Sequence, residues 1–349
     1  MKSFAPEFLK ELRLSTQHAA TLRALGQHRG RQELFRRQAP EALKVLRQTA
    51  LIESSESSNR IEGVTAPHSR IEALVLKPAA PQNRSEEEIA GYRDALNLIH
   101  ESGAEMALSN NVMLQLHGLL YRYRPGVGGR WKMVQNEIVE RNPDGSIGRV
   151  RFVPPSPVAT PELMDGLTVG FARASDQQQE PLVLIPLAIL DVLCIHPFAD
   201  GNGRVGRLLT LLLLYQAGYE VGRYISLERV IEESKETYYE ALETSSRRWH
   251  EGRHDAIPWM EYFWGVLVRA YREFEERVGT LRGGRGAKTE CIEAAVSRRT
   301  RSFHIADIEA DCPGVSREMV RHVLQRLRDD GKLRVQGSGR AARWSPVLS

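Results

Sequence analysis

The chain has 349 residues, of which 48 are Lys or Arg and 44 are Asp or Glu, so its formal net charge is only +4. This length predicts two or three domains, and hydrophobic residues at 42% with charged residues at 26% are ordinary globular values that exclude wholesale disorder. Aromatic residues at 7% and only 17 prolines argue against a β-sandwich, and leucine-rich stretches separated by charged residues predict a mainly α protein.

The cysteines and the apolar runs bear on the compartment. Cysteines at 194, 291 and 312 are too few and too scattered for a disulfide framework or a four-ligand zinc site, which favours a reducing compartment. Residues 1–13 mix charged side chains with a proline and lack the apolar core of a signal peptide. The longest apolar run, Leu208–Tyr215, is far short of the roughly 20 residues that span a bilayer. We therefore expect a cytoplasmic protein without a membrane segment.

The positive charge is confined to one end of the chain. Residues 286–349 carry 12 basic and 8 acidic side chains, so the remainder is neutral. The glycine-rich segment 279–286 predicts a flexible linker. The sequence thus predicts an N-terminal helical domain at 1–80, a core domain at 81–278 and a separate basic domain at 287–349.

Two helical regions open the chain. Helical periodicity covers residues 8–62, with breaks expected at 26–30 and at Pro40, where a helix can begin. A further helix is predicted from Ser85 as its N-cap. Its first turn contains Glu86, Glu87 and Glu88, where the helix dipole favours carboxylates.

A hairpin and two buried helices are predicted next. Short β-like runs at 134–140 and 149–153 flank the turn residues 142–145, Asn-Pro-Asp-Gly. Helical periodicity then returns at 182–195 and 205–217. The second of these stretches is apolar on nearly every side, which indicates a helix in the centre of a bundle.

Polar residues concentrate between these two helices. Residues 196–207 read His-Pro-Phe-Ala-Asp-Gly-Asn-Gly-Arg-Val-Gly-Arg, far more polar chemistry than a short turn requires. Gly201 and Gly203 let backbone N–H groups approach an anion, and the following helix directs its positive dipole end to the same place. Arg204 and Arg207 lie three residues apart in the first turn, where both can bind phosphate oxygens.

The same loop carries a carboxylate and an imidazole. Asp200 is a hard oxygen ligand suited to a magnesium ion that also binds phosphates. His196, at the other end of the loop, can take a proton from an incoming hydroxyl near neutral pH. Each residue alone fits an ordinary cap or turn, but their conjunction favours a nucleotide site.

A dinucleotide-binding fingerprint is the strongest competing interpretation. The spacing G-x-G-x-x-G occurs at 201–206, with 192–196 as the preceding strand and Glu228 as the ribose ligand. The upstream run at 182–195 is too long for a parallel strand, and no second βαβ unit follows. A P-loop is excluded because no Gly-x-x-x-x-Gly-Lys-Ser/Thr occurs.

The loop resembles the signature of the Fic family, His-Pro-Phe-x-Asp-Gly-Asn-Gly-Arg-x-x-Arg, in full. Fic proteins are helical enzymes, most of which transfer AMP from ATP to a hydroxyl side chain of a target protein. The resemblance implies that His196 is the general base and Asp200 the ligand of Mg²⁺, with Mn²⁺ as an alternative metal. It also implies a set of residues that bind the ATP phosphates: Gly201, Asn202, Gly203, Arg204, Val205, Gly206 and Arg207.

Two further segments extend the resemblance. The hairpin within residues 130–157 is similar to the family's flap, whose edge binds the target segment as an added strand. The residues implied in this docking are Val134, Gln135, Asn136 and Glu137. Tyr238 and Tyr239 resemble the pair that flanks adenosine, but the Asn found seven residues further on in many members is Ser246 in this chain.

Residues 57–63 precede the core domain and contain Ser58-x-x-x-Glu62-Gly63. A helix end with Gly63 as its left-handed cap residue would explain this segment structurally. It also resembles the inhibitory motif of many Fic proteins. The resemblance implies that Glu62, with Ser58, withholds Arg207 from the γ-phosphate of ATP. A bifunctional or mainly deAMPylating enzyme, in which Glu62 positions water to remove AMP, remains an alternative.

The basic domain resembles a winged helix-turn-helix. Short helices at 290–298 and 304–310 precede a longer one capped by Ser316, and a small hairpin follows within 332–344. Such domains contact DNA or proteins, and a homodimer is also expected as an option. The alternative function is therefore a nucleotide-responsive, DNA-binding regulator. The overall prediction is a mainly α protein, with a Fic-type helical bundle, a hairpin flap and a C-terminal winged helix.

Overall fold

The computed structural model describes residues 2–38, 40–77, 79–141, 147–282, 287–297, 299, 302–312, 315–337 and 342–347. The mainly α fold predicted from the sequence is confirmed. The helices of the described residues are α1 (Pro6–Glu11), α2 (Thr16–Gln38), α3 (Pro40–Ile61), α4 (His68–Leu76), α5 (Arg84–Ser102), α6 (Asn110–Leu120), α7 (Thr160–Asp176), α8 (Pro181–Ile195), α9 (Asn202–Gln216), α10 (Leu227–Glu233), α11 (Lys235–Ser246), α12 (Ile257–Arg282), α13 (Ala287–Ser297), α14 (Ile305–Asp311) and α15 (Arg317–Asp329). The strands are β1 (Ile138–Arg141), β2 (Ile147–Phe152), β3 (Leu333–Gln336) and β4 (Arg343–Pro346).

Helices α8 and α9 form the centre of the bundle. Every residue of α8 after its first is buried, and α8 packs against α7, α9 and α12. Helix α9 is similarly enclosed and also packs against α5 and α6. The two buried helices predicted from the sequence are therefore present, and α9 begins at Asn202, three residues before the predicted start. This burial fixes both ends of the loop that joins them.

The N-terminal 80 residues share this core. Phe4, Leu25 and Leu46 are at most 1% exposed and belong to the same apolar cluster as the residues of α8. Gly170 on α7 makes room for Phe4, because a Cβ there would lie 2.7 Å from the Phe4 Cβ. The predicted division near residue 80 therefore does not separate two cores, and α3 is packed directly against the centre of the molecule.

Two local predictions of helix boundaries are wrong. Helix α2 continues through residues 26–30, where a break is predicted. The two glycines there cost a helix about 1 kcal/mol each relative to alanine, and the packing of α2 against α12 offsets this cost. Helix α5 begins at Arg84 and not after Ser85, because the Asn83 side chain accepts a hydrogen bond from the Glu86 N–H at 3.1 Å.

The predicted hairpin is present as an antiparallel pair. Strands β1 and β2 place Ile138 opposite Phe152 and Glu140 opposite Arg149. The turn predicted at 142–145 lies outside the described residues. Two guanidiniums of β2 bind Glu243 on α11, with the Arg149 Nη2 at 3.0 Å and the Arg151 Nε at 3.0 Å from its carboxylate. These ion pairs tie the hairpin to the bundle.

The predicted linker at 279–286 begins within a helix. Helix α12 continues to Arg282, so residues 279–282 are helical, and residues 283–286 lie outside the described part of the chain. Packing does not require a glycine at 279, because nothing lies within 4 Å of the position that a Cβ would take. Composition alone therefore placed the end of the bundle four residues too early.

Residues 287–347 have the element order expected of a winged helix-turn-helix. Helices α13, α14 and α15 are followed by the antiparallel strands β3 and β4, and Ile308, Leu324 and Trp344 belong to a separate apolar cluster. Two of the three cysteines are far apart in sequence but adjacent in this cluster, with the Cys291 and Cys312 sulfur atoms 2.9 Å apart.

Helix α15 is the helix that a DNA-binding function would place in the major groove. Three of its four arginines contact carboxylates of the same domain: Arg317 lies 3.2 Å from Glu309, Arg328 lies 2.7 Å from Asp329, and Arg326 pairs with Glu293. These pairs reduce the positive charge available to phosphates. DNA binding by this domain stays a prediction.

Within the described ranges, no helix combines the length and the apolar character needed to cross a bilayer.

Candidate active site

His196 occupies a strained position at the end of α8. Its backbone φ of +50° and ψ of +59° lie in the left-handed region, which turns the chain sharply into the loop. Its Nδ1 lies 3.2 Å from the Leu193 carbonyl oxygen. A carbonyl only accepts, so Nδ1 carries the hydrogen and Nε2 presents its lone pair. Burial lowers the pKa of His196 to about 4, helped by the nearby charge of Lys132, so the ring is neutral at pH 7 and its Nε2 lone pair is free to accept a proton.

Asp200 lies at the mouth of the loop. Its side chain is 63% exposed and its Oδ1 accepts a hydrogen bond from the Gly201 N–H at 2.7 Å. Burial raises the pKa of this carboxyl, but the Tyr121 hydroxyl and the Arg204 charge outweigh that effect and hold the pKa below its ordinary value. Asp200 is therefore ionised and accessible to a cation.

The first turn of α9 faces the site with its backbone. Gly201 precedes it with φ of +79°, and the Val205 N–H already bonds the Gly201 carbonyl at 2.9 Å. The N–H groups of residues 202–204 come before that bond and are the helix-start donors for an anion. The side chain of Val205 is fully buried, and Gly206 packs on Leu193. These two residues therefore face the core of the bundle.

Asn202, one of the residues implied in ATP binding, holds the loop itself. Its Oδ1 accepts from the Phe198 N–H at 2.9 Å, and its Nδ2 donates to the Phe198 carbonyl at 2.8 Å. The side chain is 2% exposed. Asn202 therefore shapes the loop, and its amide group is not directed to a phosphate.

We expect Asn202→Ala to lower the free energy of unfolding by about 2 kcal/mol, because it leaves a buried N–H and carbonyl of Phe198 without these partners. Denaturant titration measures this loss. Asn110→Ala is the matched control, because the Asn110 side chain bonds Asp165 in an exposed contact and its replacement should cost under about 0.5 kcal/mol. Equal losses for the two variants would contradict the assigned role of Asn202.

Arg207 is held by the end of α3. Its Nε donates to the Ser58 hydroxyl at 2.9 Å, and its Nη2 donates to the Ser58 carbonyl at 2.9 Å and to Glu62 Oε1 at 2.8 Å. The guanidinium is only 4% exposed. Burial alone would lower the pKa of Arg207, but the charge of Glu62 outweighs it, and the pKa is raised. The structure thus brings Ser58 and Glu62 of the Ser-x-x-x-Glu-Gly segment together with Arg207.

The Glu62 carboxylate also covers the start of α9. A Cβ placed on Gly203 would lie 2.3 Å from Glu62 Oε1, so this oxygen rests directly against the glycine backbone. Helix α3 ends at Ile61, and Gly63 follows with φ of +81°, as the cap prediction requires. A negative oxygen therefore occupies the place that the helix start and Arg207 offer to an anion.

Arg204 does not share this position. It is 2% exposed, and its Nη1 bonds Glu88 at 2.6 Å and Asn59 at 3.3 Å, while its Nη2 bonds the Tyr121 hydroxyl at 3.0 Å. Arg204 and Arg207 therefore have different partners, and Arg204 lines a smaller hollow of about 210 Å³ that also includes Glu62 and Asp200. Phosphate binding by Arg204 stays a prediction.

A cavity of about 610 Å³ opens next to His196 and is large enough for a nucleotide. Its floor includes Gly203 and Arg207, and Tyr238 and Tyr239 of α11 form a wall with Ser246. The two tyrosine rings meet edge to face at 5.1 Å. Across the cavity lies the hairpin, including Ile138, Val139, Arg151 and Phe152. The aromatic pair, the histidine and the arginine predicted from separate segments therefore line one space.

The four residues implied in target docking divide into two roles. Val134 is 75% exposed, and Glu137 is also exposed. Asn136 instead turns inward and donates to the carbonyls of His196 at 3.3 Å and Phe198 at 2.9 Å. Gln135 donates to the Pro154 carbonyl at 2.8 Å. All four precede β1, so they form the stem of the hairpin and not its paired edge.

Sequence reasoning missed two residues that support the loop. Glu88 was assigned to a helix-dipole role, yet it is 3% exposed and binds Arg204. Its position four residues before the buried Tyr92, on the apolar face of α5, was the available signal. His117 accepts the Gly129 N–H at 3.0 Å on Nδ1 and bonds the Asp200 carbonyl at 3.2 Å through Nε2. A lone histidine in an apolar helix carried no such signal.

A larger hollow of about 840 Å³ lies between α2, α10 and α12, away from the loop. Three of its four arginines pair with glutamates of the same hollow, and Arg229 Nη2 bonds both carboxylate oxygens of Glu273 at 2.6 and 2.7 Å. The cavity beside His196 therefore remains the candidate site.

Across the described ranges, no cluster of three or more His, Cys, Asp or Glu side chains could hold a metal by itself. A magnesium ion typically takes one or two carboxylates and completes its shell with water and substrate phosphates. The single, ionised and exposed carboxylate of Asp200 fits that requirement.

Comparison with known proteins assigns the central part of the chain to a family. Residues 107–214 match the model of the Fic/DOC family, and this span includes the complete loop from His196 to Arg207. This part of the chain is therefore similar to the Fic/DOC family domain.

Two relatives have informative names. The protein adenylyltransferase Fic of Nematostella vectensis is 26% identical over 168 residues, which cover 46% of this chain and 37% of that protein. A Fido domain-containing protein of Dictyostelium discoideum is 31% identical over 99 residues, which cover 27% of this chain and 65% of that protein. The chain spans less than two thirds of the length of each.

A solved structure matches nearly the whole chain. A Fic family protein of Desulfovibrio desulfuricans aligns with a TM-score of 0.63 and 21% identity, covering 97% of this chain and 98% of that one. At this identity the likeness concerns the fold, and it extends from the Fic/DOC domain over the flanking helices.

Proposed function

We propose that this protein transfers AMP from ATP to a Ser, Thr or Tyr hydroxyl of a target protein. The observation that carries the proposal is the grouping of a neutral imidazole, a helix start and Arg207 around one nucleotide-sized cavity. The Fic/DOC domain and the adenylyltransferase name of the Nematostella relative support the same reaction.

The transfer itself requires a base and a path for the leaving group. The target hydroxyl oxygen attacks the α-phosphorus, its proton passes to Nε2 of His196, and the bond to the β-phosphate oxygen breaks to release pyrophosphate. The left-handed turn and the Nδ1 hydrogen bond to Leu193 hold His196 in the tautomer that this step needs. The backbone donors at the start of α9 stabilise negative phosphate oxygens.

Asp200 would hold Mg²⁺, or alternatively Mn²⁺, against the ATP phosphates. When bound, the cation supplies positive charge that offsets the charge of the phosphates. Tyr238 and Tyr239 offer aromatic faces to adenosine, and Ser246 replaces the amide side chain that many Fic proteins carry at this position.

We further propose that Glu62 holds the enzyme in an inactive state. Its carboxylate binds Arg207 at 2.8 Å and rests on Gly203, so it competes with the terminal phosphate of ATP for the same charge and space. ATP that binds without Arg207 would not present its α-phosphate in line with the hydroxyl.

The label position in ATP tests the reaction. Glu62→Gly protein incubated with Mg²⁺ and α-labelled ATP should become covalently labelled, and γ-labelled ATP should give no label. Label from γ-labelled ATP would indicate phosphoryl transfer, and the absence of label from both, despite ATP binding, would contradict the proposal.

A further inference from the structure

The loop that carries His196 needs partners for its carbonyl groups. Residues 195–198 leave a helix end through a left-handed turn, so their carbonyl oxygens cannot continue the helical hydrogen-bond pattern. Unpaired carbonyls in this buried region would cost free energy and leave the turn free to relax.

The stem of the hairpin supplies those partners from two residues. Lys132 Nζ donates to the Ile195 carbonyl at 3.2 Å, and the Lys132 backbone N–H donates to the Pro197 carbonyl at 2.8 Å. Asn136 Nδ2 donates to the carbonyls of His196 at 3.3 Å and Phe198 at 2.9 Å. Four successive carbonyls are thus bound alternately by these two residues.

The two residues also bind each other. Lys132 Nζ donates to Asn136 Oδ1 at 2.9 Å, which leaves the Asn136 amide nitrogen directed at the loop. Lys132 is 2% exposed, and the acceptors of its ammonium are neutral oxygens. Burying an ammonium against neutral oxygens is costly, and burial lowers the pKa of Lys132 to about 8. A residue kept for stability alone would be better replaced by an apolar side chain.

We infer that Lys132 and Asn136 are positioning residues for His196, which fix the turn at the end of α8 through four consecutive carbonyl oxygens. This inference rests on the proposed transfer reaction. Neither side chain bonds the imidazole of His196, since the hydrogen bonds of both residues go to the backbone of the loop.

The same contacts join the loop to the hairpin. Gln135 lies between the two positioning residues and donates to the Pro154 carbonyl just after β2. A movement of the hairpin when a target binds would therefore be transmitted to the turn at His196 through residues 132–136. Binding of the target at the hairpin and alignment of His196 would then be coupled.

The inference is tested in the Glu62→Gly background with Lys132→Met and Asn136→Ala. Lys132→Met keeps the length of the side chain and removes its donors. We expect kcat for AMP transfer to fall about 10- to 100-fold while the KM for ATP changes less than about threefold, because misplacement of the base affects the chemical step. Lys132→Arg, which retains charge and donors, should recover part of the loss.

Two other measurements separate positioning from simple loss of folding. Lys132→Met should unfold at a denaturant concentration close to that of its parent, because removing a costly buried ammonium offsets the loss of its hydrogen bonds to Ile195 and Asn136. Amide hydrogen exchange at residues 196–202 should accelerate in both variants. It should remain unchanged in the control variant Met133→Ala, because the Met133 side chain is 81% exposed.

The exchange measurement does not depend on catalysis, so the inference and the proposed reaction can fail separately. Unchanged exchange at 196–202 in Lys132→Met and Asn136→Ala would overturn the inference, as would a kcat within threefold of the parent. Absence of AMP transfer in the Glu62→Gly parent would overturn the proposed function, while accelerated exchange would still support the role of these residues in holding the turn.

Discussion

Replacing His196 with alanine is expected to reduce AMP transfer about 10²- to 10⁴-fold, the range that a positioned general base contributes. The imidazole is neutral at pH 7 because burial lowers its pKa to about 4, and its Nδ1 hydrogen bond to Leu193 leaves Nε2 available for the hydroxyl proton. No other side chain is assigned this proton in the proposed reaction.

Initial rates with α-labelled ATP in the Glu62→Gly background measure this loss. The affinity for ATP should change little, because the phosphates are assigned to the helix start and Arg207. His68→Ala serves as the control, since His68 is half exposed on α4 and pairs with Glu56 away from the cavity. A His196→Ala protein with more than a tenth of the parental rate would contradict the assignment of the base.

Replacing Glu62 with glycine is expected to raise AMP transfer about 10- to 100-fold, corresponding to the roughly 1.5–3 kcal/mol that a hydrogen bond between charged groups contributes. The change frees Arg207 Nη2 and clears the oxygen that lies against Gly203. Arg207 remains held by its two hydrogen bonds to Ser58, so the guanidinium stays in place for a phosphate.

The origin of this activation can be checked by comparing nucleotides. If Glu62 competes with the terminal phosphate, Glu62→Gly should tighten the binding of ATP and leave the binding of AMP unchanged, as measured by calorimetry. Glu56→Gly is the matched control, because Glu56 lies on the same helix but pairs with Arg60 and His68. Equal tightening of AMP and ATP, or activation by Glu56→Gly, would contradict a specific role for Glu62.

Local patterns predicted the elements around the site well. Two β-like runs around the turn residues 142–145 indicated a hairpin, and the apolar stretches before and after 196–207 indicated two buried helices, because these signals are properties of short segments. The Ser58-x-x-x-Glu62-Gly63 segment located a helix end, and the structure then placed it against Arg207.

The sequence could not predict which partners individual polar side chains contact. The spacing of Arg204 and Arg207 does not tell these two residues apart. Contacts with distant segments do, because Arg204 binds the buried carboxylate of Glu88, more than a hundred residues away, whereas Arg207 binds the end of α3. Asn136 shows the same limit, since an amide in a predicted flap can face a target or the loop. Its orientation depends on Lys132 and on the carbonyls of His196 and Phe198, which sequence periodicity does not identify.

Amino-acid composition also could not predict the exact domain boundaries. The neutral body and the basic tail indicated where the last domain begins, but helix α12 carries the bundle four residues into the predicted linker. At the other end, the burial of Phe4 against Gly170 joins the N-terminal segment to the central core. These boundaries depend on contacts between distant segments, which cannot be predicted from the distribution of charge along the sequence.

The most direct test of the account is the rate of AMP incorporation from α-labelled ATP and Mg²⁺ by three proteins: the unchanged chain, Glu62→Gly, and Glu62→Gly combined with His196→Ala. We predict slow labelling of the first, labelling at least tenfold faster in the second, and a return to background in the third. Equal rates for the first two proteins, or undiminished labelling of the third, would contradict an AMP transferase that uses His196 and is held inactive by Glu62.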